Sequence, residues 1–186
     1  MIQGGKRSMK ILSKIREATV DDLDGIASVY DHIHTAEEKG ETSIGWIRSI
    51  YPTRKTAEAA LTRGDMFVQT DEHGHIVGTA ILNQVQVDVY ADAPWEYDVP
   101  DEQIMVLHTL VIDPKEKGKG YGTAFVRFYE QFALKHGCPY LRMDTNEKNI
   151  AARAFYKKLG YREIGVRPCE FNGIPNVKLV LLEKKV

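Results

Sequence analysis

The apolar run at residues 103–112 stops at Asp113-Pro114, and a turn rich in lysine and glycine, Lys115-Glu116-Lys117-Gly118-Lys119-Gly120-Tyr121-Gly122, then leads into an amphipathic segment. No other stretch constrains the fold as tightly. Proline is excluded from the middle of a sheet, so the run before it reads as a strand that ends there. Beyond the turn, residues 120–135 read as a helix whose apolar stripe is Ala124, Phe125, Phe128, Phe132 and Ala133, closed by Gly137 as helix ends prefer. The same signals predict a strand at 140–143, a helix at 149–159 stopped by Gly160, and closing strands at 162–167 and 177–182.

Upstream, residues 15–19 form a short opening strand. Thr19 or Asp21 then caps a helix with Leu23, Ile26, Ala27 and Tyr30 at helical spacing, and a second helical stretch lies at 56–61. The runs 66–69 and 76–82 flank the turn signal Asp71-Glu72-His73-Gly74 and predict a β-hairpin. Residues 85–102, interrupted by Pro94 and Pro100, read as an extended arm and then a loop. The order βα, hairpin, β-α-β-α-β-β implies a mixed α/β sheet. With no repeat and no linker, residues 10–186 are expected to form one domain, with 1–9 a loose leader in which Met9 is an alternative start.

Composition then removes function classes. At 186 residues roughly 70% of the unfolded surface can be buried, so the fold needs no staple. Twenty-five Lys and Arg against twenty-six Asp and Glu argue against a dedicated nucleic-acid binder, which shows a basic excess. Cys138 and Cys169 match no metal-ligand spacing, so reduced thiols and no metal are expected. No apolar run approaches the ~18 residues of a membrane span, and the start lacks a signal-peptide core. The expectation is a soluble, cytoplasmic chain with no membrane partner, monomeric or homodimeric.

The glycine-rich turn carries the chemistry. Glycines let a backbone approach a ligand closely, and a helix start presents unpaired N–H groups with partial positive charge, which suits a pyrophosphate. Lys115, Lys117 and Lys119 add to the field. A Walker loop is absent, and the dinucleotide pattern GxGxxG fails because Thr123 stands at its last glycine. The bland alternative is a strand-to-helix connection whose glycines only ease packing.

Context separates these readings. A strand ending Val111-Ile112-Asp113-Pro114, a basic residue, then Gly118-x-Gly120-x-Gly122 and a helix resembles the acetyl-CoA-binding motif of the GNAT superfamily of N-acetyltransferases. Downstream, Asn149-Ile150-Ala151-Ala152-Arg153-Ala154-Phe155-Tyr156-Lys157-Lys158-Leu159-Gly160-Tyr161 is similar to the family's second signature, N-x-x-A-x-x-F-Y-x-x-x-G-[FY], at every named position. The close match covers 103–161. Lys117 departs from the usual Gln or Arg, keeping the cation without the planar fork.

The resemblance implies a mostly antiparallel central sheet flanked by helices, with strands 103–112 and 140–145 splayed and acetyl-CoA as co-substrate between them. It implies pantetheine pairing along Leu110, Val111 and Ile112, and pyrophosphate held by Lys117, Gly118, Lys119, Gly120, Tyr121, Gly122 and Thr123. Asn149 and Phe155 would also meet the coenzyme, and Tyr156 would protonate the departing thiolate. For the amine's proton, strand alternation puts Ile104, Val106, His108, Leu110 and Ile112 on one face, with His108 the polar member. An imidazole titrates near neutrality, so His108 is the candidate base, against a core histidine bonded to backbone.

Residues 85–102 hold six acids, three aromatics and no Lys or Arg. In such a fold Asp92, Trp95 and Tyr97 would form an acidic, aromatic rim for a cationic amine, with Trp46 and Tyr51 opposite; a solvated loop is the alternative. Glu147, Lys148, Lys157 and Lys158 read as solvated helix charges. The leading expectation is acetyl transfer to a primary amine of a small molecule or peptide. The second is an acyl-CoA-binding or sensing module of the same fold without turnover.

Overall fold

The computed structural model describes residues 13–186; the expected leader at 1–9 lies outside them. Seven strands form one mixed sheet in the order β1-β2-β3-β4-β5-β7-β6: β1 Lys14–Glu17, β2 Met66–Thr70, β3 Ile76–Asn83, β4 Ile104–Ile112, β5 Tyr140–Asn146, β6 Arg162–Phe171 and β7 Ile174–Lys185. Only β4 and β5 run parallel. Four helices pack on it: α1 Leu23–Glu38, α2 Arg54–Arg63, α3 Tyr121–Lys135 and α4 Ile150–Lys158. None is long and apolar enough to cross a membrane among the described residues.

Local chemistry explains the starts. Thr19 caps a single 3₁₀ turn before α1, and Asp22 closes the box by accepting the Thr19 amide at 2.7 Å. Two N–H groups of Arg16 also reach Asp22, and they pull its carboxyl down to about 2. Gly120 opens α3 with a φ of 85°, a left-handed conformation that L side chains resist.

One face of the sheet carries α3 and α4. There Phe125, Val126, Tyr129 and Ala133 of α3 are buried against Met105, Leu107, Leu141 and Met143. The expected stripe is widened: Phe125 and Ala133 share its centre with Val126 and Tyr129, and Phe128 and Phe132 pack on its flank around Phe67, because β2 and β3 extend the sheet to that side. The opposite face is divided. The amphipathic α1 and α2 cover the β1–β4 half through Ile26, Val29, Tyr30 and Ala57. The 85–102 segment covers the other half, with Tyr90 fully buried over Ile104, Val106, Leu179 and Leu181.

Those packing choices create a fork. β4 pairs with β5 only from Ile104 to Leu107. Tyr129 braces that last paired stretch by donating its hydroxyl to the Met105 carbonyl at 2.6 Å. Beyond it β4 stays with β3 and β5 stays with β7, so the two diverge.

Candidate active site

The fork is sharpened by a bulge. In the β3–β4 ladder Ile81 faces His108 and Thr79 faces Val111, which leaves Thr109 and Leu110 opposite the single residue Ala80. Thr109 has a φ of 52°, a costly conformation of order 1–3 kcal/mol for a β-branched residue, and the Tyr51 hydroxyl hydrogen-bonds its Oγ1. Here simple alternation fails. His108 shares a face with Ile104, Val106 and Val111, whereas Leu110 and Ile112 pack with Met105 and Leu107 on the α3 side. The expected set of five on one face is broken because the bulge adds one residue and inverts the parity.

Two cavities meet at the fork. The larger, about 780 Å³, is a cleft that begins at Leu110–Ile112, passes the glycine turn and reaches Ala152 and Phe155 of α4. Among the described residues the amides of Gly118, Gly120, Tyr121, Gly122 and Thr123 have no protein acceptor, the array an anion needs. Lys117 lines this cleft. Lys119 does not: its side chain is paired with Glu116 at 2.6 Å. Lys115 is likewise turned away, donating to His32 Nε2 at 2.7 Å while His32 Nδ1 meets Asp113 at 2.8 Å. The basic residue that joins Lys117 in the wall is Lys148, read from sequence as a solvated charge.

The smaller cavity, about 90 Å³, lies between the splayed ends and shares Ile44, Leu110, Asn149 and Ala152 with the cleft. His108, Tyr156 and Trp46 line it, as do Thr109, Asn146, Phe171, Val177 and Asp144. Asp144 is its sole carboxylate. Burial raises that carboxyl to about 6, against a hydrogen bond from Tyr90 that lowers it. The Tyr156 phenol is held well above the usual range, first by burial and then by the nearby Asp144. Its hydroxyl has no protein partner among the described residues.

His108 is pushed down to about 4, chiefly by burial. Its Nε2 lies 3.0 Å from Asn83 Oδ1, which also accepts the Val85 amide, while Asn83 Nδ2 donates to Asp65 at 2.8 Å. That network orients the Asn83 amide and makes His108 Nε2 a donor, leaving Nδ1 with the lone pair.

The loop before α2 closes the cavity from above. Glu37, near the end of α1, accepts the Ile44 and Gly45 amides at 2.8 and 2.9 Å. Gly45 has a φ of 80°, a conformation that strains other residues, and a Cβ there would stand 2.4 Å from Asn146 Nδ2, so a larger residue would also displace that side chain. Asn149 caps α4 by accepting the Ala152 amide at 3.1 Å, which leaves its amide group for the cavities it borders.

The acidic arm is elsewhere. Asp92, Trp95 and Tyr97 line neither cavity. Trp95 lies under the Arg142 guanidinium, 4.0 Å from its ring centre, and donates to the Tyr90 carbonyl at 2.8 Å. Tyr97 packs on Tyr140, and the Asp92 carbonyl accepts from Arg167. Of the expected rim only Trp46 faces the smaller cavity, with Tyr51 behind it at 5.9 Å. Asp144 was missed, although the β5 alternation marks it. Leu141 and Met143 face α3, so Arg142 and Asp144 share the other face.

Residues 26–161 match the model of the acetyltransferase (GNAT) family. An uncharacterized N-acetyltransferase from Methanocaldococcus jannaschii is 27% identical over 150 residues, which cover 80% of this chain and 60% of that one. A streptothricin acetyltransferase from Escherichia coli is 26% identical over 174 residues, covering 91% and 90%. Among solved structures, a GNAT acetyltransferase from Streptococcus agalactiae superposes with a TM-score of 0.77 at 23% identity, over 95% of this chain and 98% of that one. An acetyltransferase from Salmonella typhimurium, solved with acetyl-CoA, gives 0.64 at 16% identity over 93% of each chain. At such identities the structural likeness is one of fold.

Proposed function

As a chain that belongs to the acetyltransferase (GNAT) family, we propose that this protein is an N-acetyltransferase that moves an acetyl group from acetyl-CoA to a primary amine of a small molecule or peptide. The observation that carries this reading is the junction of the two cavities. A long cleft rich in free amides ends at a small chamber holding one carboxylate, Asp144, and one free phenol, Tyr156. The amides of Gly118 and of Gly120 through Thr123 fit a pyrophosphate, with Lys117 and Lys148 as cations beside it. Leu110 and Ile112, freed from β5 by the fork, offer main-chain groups to an extended arm, as an added strand would use them. The neighbour solved with acetyl-CoA supports the same choice of co-substrate.

Bound acetyl-CoA supplies an activated thioester. Asp144 attracts the ammonium form of the acceptor and takes its proton, since a carboxyl raised to about 6 is ionised at neutral pH yet more basic than an ordinary aspartate. The bulged main chain at Thr109–Leu110 orients the reacting carbonyl. Tyr156, kept protonated by burial, gives its proton to the sulfur as it leaves. His108, neutral above about pH 4, forms a wall whose Nε2 donates to Asn83. The chamber, about 90 Å³ with walls from Trp46, Phe171, Val177 and Leu179, favours an amine on a slim head. The streptothricin relative supports a small-molecule acceptor.

A second reading gives the proton to His108 directly, as its place in the chamber allows. The two differ in the pH profile. With Asp144 as base, kcat/KM rises through a limb near pH 6 that Asp144→Asn removes. With His108 as base, the limb lies near pH 4 and His108→Ala removes it. Release of free coenzyme thiol across polyamines, aminoglycosides, amino acids, arylalkylamines and peptide amino termini tests the activity itself. Tight acetyl-CoA binding without turnover on any amine would favour the sensing module.

A further inference from the structure

The 85–102 segment contributes no wall to the acceptor chamber, yet it is fastened more firmly than a solvated loop needs. Arg142, 5% exposed, donates to the Tyr97 carbonyl at 3.0 Å and to Gln86 Oε1, and stacks on Trp95. Glu183, 1% exposed and 3.6 Å from Arg142, accepts the Glu96 amide at 2.9 Å. A buried ion pair on β5 and β7 thus grips both ends of the arm. Between those grips Tyr90 is fully buried, wedged edge-on against Trp95 at 5.0 Å between ring centres. Its hydroxyl donates to Asp144 Oδ2 at 2.8 Å.

We propose that Tyr90 is a positioning residue for the acceptor site, held by the clamped arm so that its hydroxyl orients the Asp144 carboxylate and keeps it ionised for the incoming amine. This rests on the role given above to Asp144. The other titratable groups around that carboxylate are neutral near pH 6: Tyr51 from the loop before α2, Tyr156 from α4, Cys169 from β6 and, across the chamber, His108 from β4. The cation on its own face, Arg142 two residues earlier on β5, is directed at Gln86, Tyr97 and Glu183. Among the described residues Tyr90 alone hydrogen-bonds it. A donor that favours the charged form must lower the proton affinity of a half-buried carboxylate, and among the described residues no cation contacts it. The fold thereby offsets the burial of Asp144 with a neutral phenol, which leaves room for the substrate's own positive charge.

The experiment is the pH profile of kcat/KM in the full chain, with the Asp144 carboxyl followed in parallel by carbon-13 NMR titration. In Tyr90→Phe both the limb near pH 6 and the carboxyl titration are expected to move up by about one pH unit or more. Replacing Tyr90 with 3-fluorotyrosine, a stronger donor of nearly the same size, is expected to move both down, which keeps the test sound if the phenylalanine variant folds poorly. A purely structural tyrosine would lower Tm in Tyr90→Phe and leave both titrations in place, and that result overturns the proposal. Asp144→Asn separates the two levels. If it leaves the limb intact, the base assignment falls. If it removes the limb while both Tyr90 variants titrate like the parent, only the positioning role falls.

Discussion

The proposed coenzyme cleft and the proposed acceptor chamber are built in opposite ways. Half of the cleft's wall comes from one contiguous stretch, Leu110 to Thr123, with its row of amides, and the rest from the end of α1 with the loop after it and from the start of α4. The chamber is made of side chains from the loop before α2, the bulge of β4, the end of β5, α4 and the β6–β7 pair. Backbone amides at a helix start bind an anion whatever side chains surround them, so that half tolerates variation. The chamber depends on one carboxylate and one phenol held by distant segments. Its chemistry therefore turns on single atoms.

That contrast predicts a steep ordering of effects. Asp144→Asn strikes the chamber at its only carboxylate and should lower kcat/KM at neutral pH by at least about 100-fold, as loss of acid–base catalysis does. The same variant should raise Tm at pH 8. A carboxyl whose folded value lies above its unfolded one costs stability once pH exceeds the unfolded value, and asparagine carries no charge to bury. A fall in Tm together with full activity would remove Asp144 from the centre of the site.

Tyr156→Phe should lower kcat at least roughly tenfold with little change in KM for acetyl-CoA, measured by thiol release, because only the departing sulfur loses its proton donor. Lys117→Ala touches the cleft at one exposed cation beside an amide array that remains. Its expected effect is a rise in KM for acetyl-CoA of about two- to fivefold, with kcat preserved, in line with the small energies of exposed ion pairs. A collapse of binding in that variant would contradict the view that backbone dominates the cleft. Smallest of all, Asp92→Ala should leave KM for any acceptor amine unchanged, since Asp92 lies outside both cavities. A marked rise there would restore the acidic rim.

What was legible in the sequence follows the same line. The stretch 103–161 carries its punctuation in contiguous residues: Asp113-Pro114 ends a strand, Gly118 and Gly120 admit a positive φ, and Asn149 caps a helix. The seven strands and four helices followed from such local signals, and so did the cleft. The differences arose where distant packing or a bulge overrode the local pattern. The α3 stripe is wider than its periodicity shows because Phe128 and Phe132 also meet β2, a partner more than sixty residues away in the chain. Alternation along β4 misplaced Leu110 and Ile112 relative to His108 because one bulged residue inverts the parity, and Thr109 does not announce it. The arm was misassigned for a different reason. Its acids and aromatics fit a cationic substrate by composition alone, while the buried Arg142–Glu183 pair that captures it is divided between two other strands.

By itself the sequence determined the strand, turn and helix that make an anion-binding backbone, and the tyrosine on the helix that follows. Capping, glycine conformations and apolar periodicity act over a few residues and leave their mark in order. Only the tertiary structure decided which carboxylate stands in the chamber, which lysines face the cleft and where the acidic arm packs. Those outcomes depend on where β4 and β5 part and on which buried charges find each other across the sheet. Such contacts are set by packing among segments far apart in the chain, and no local pattern records them.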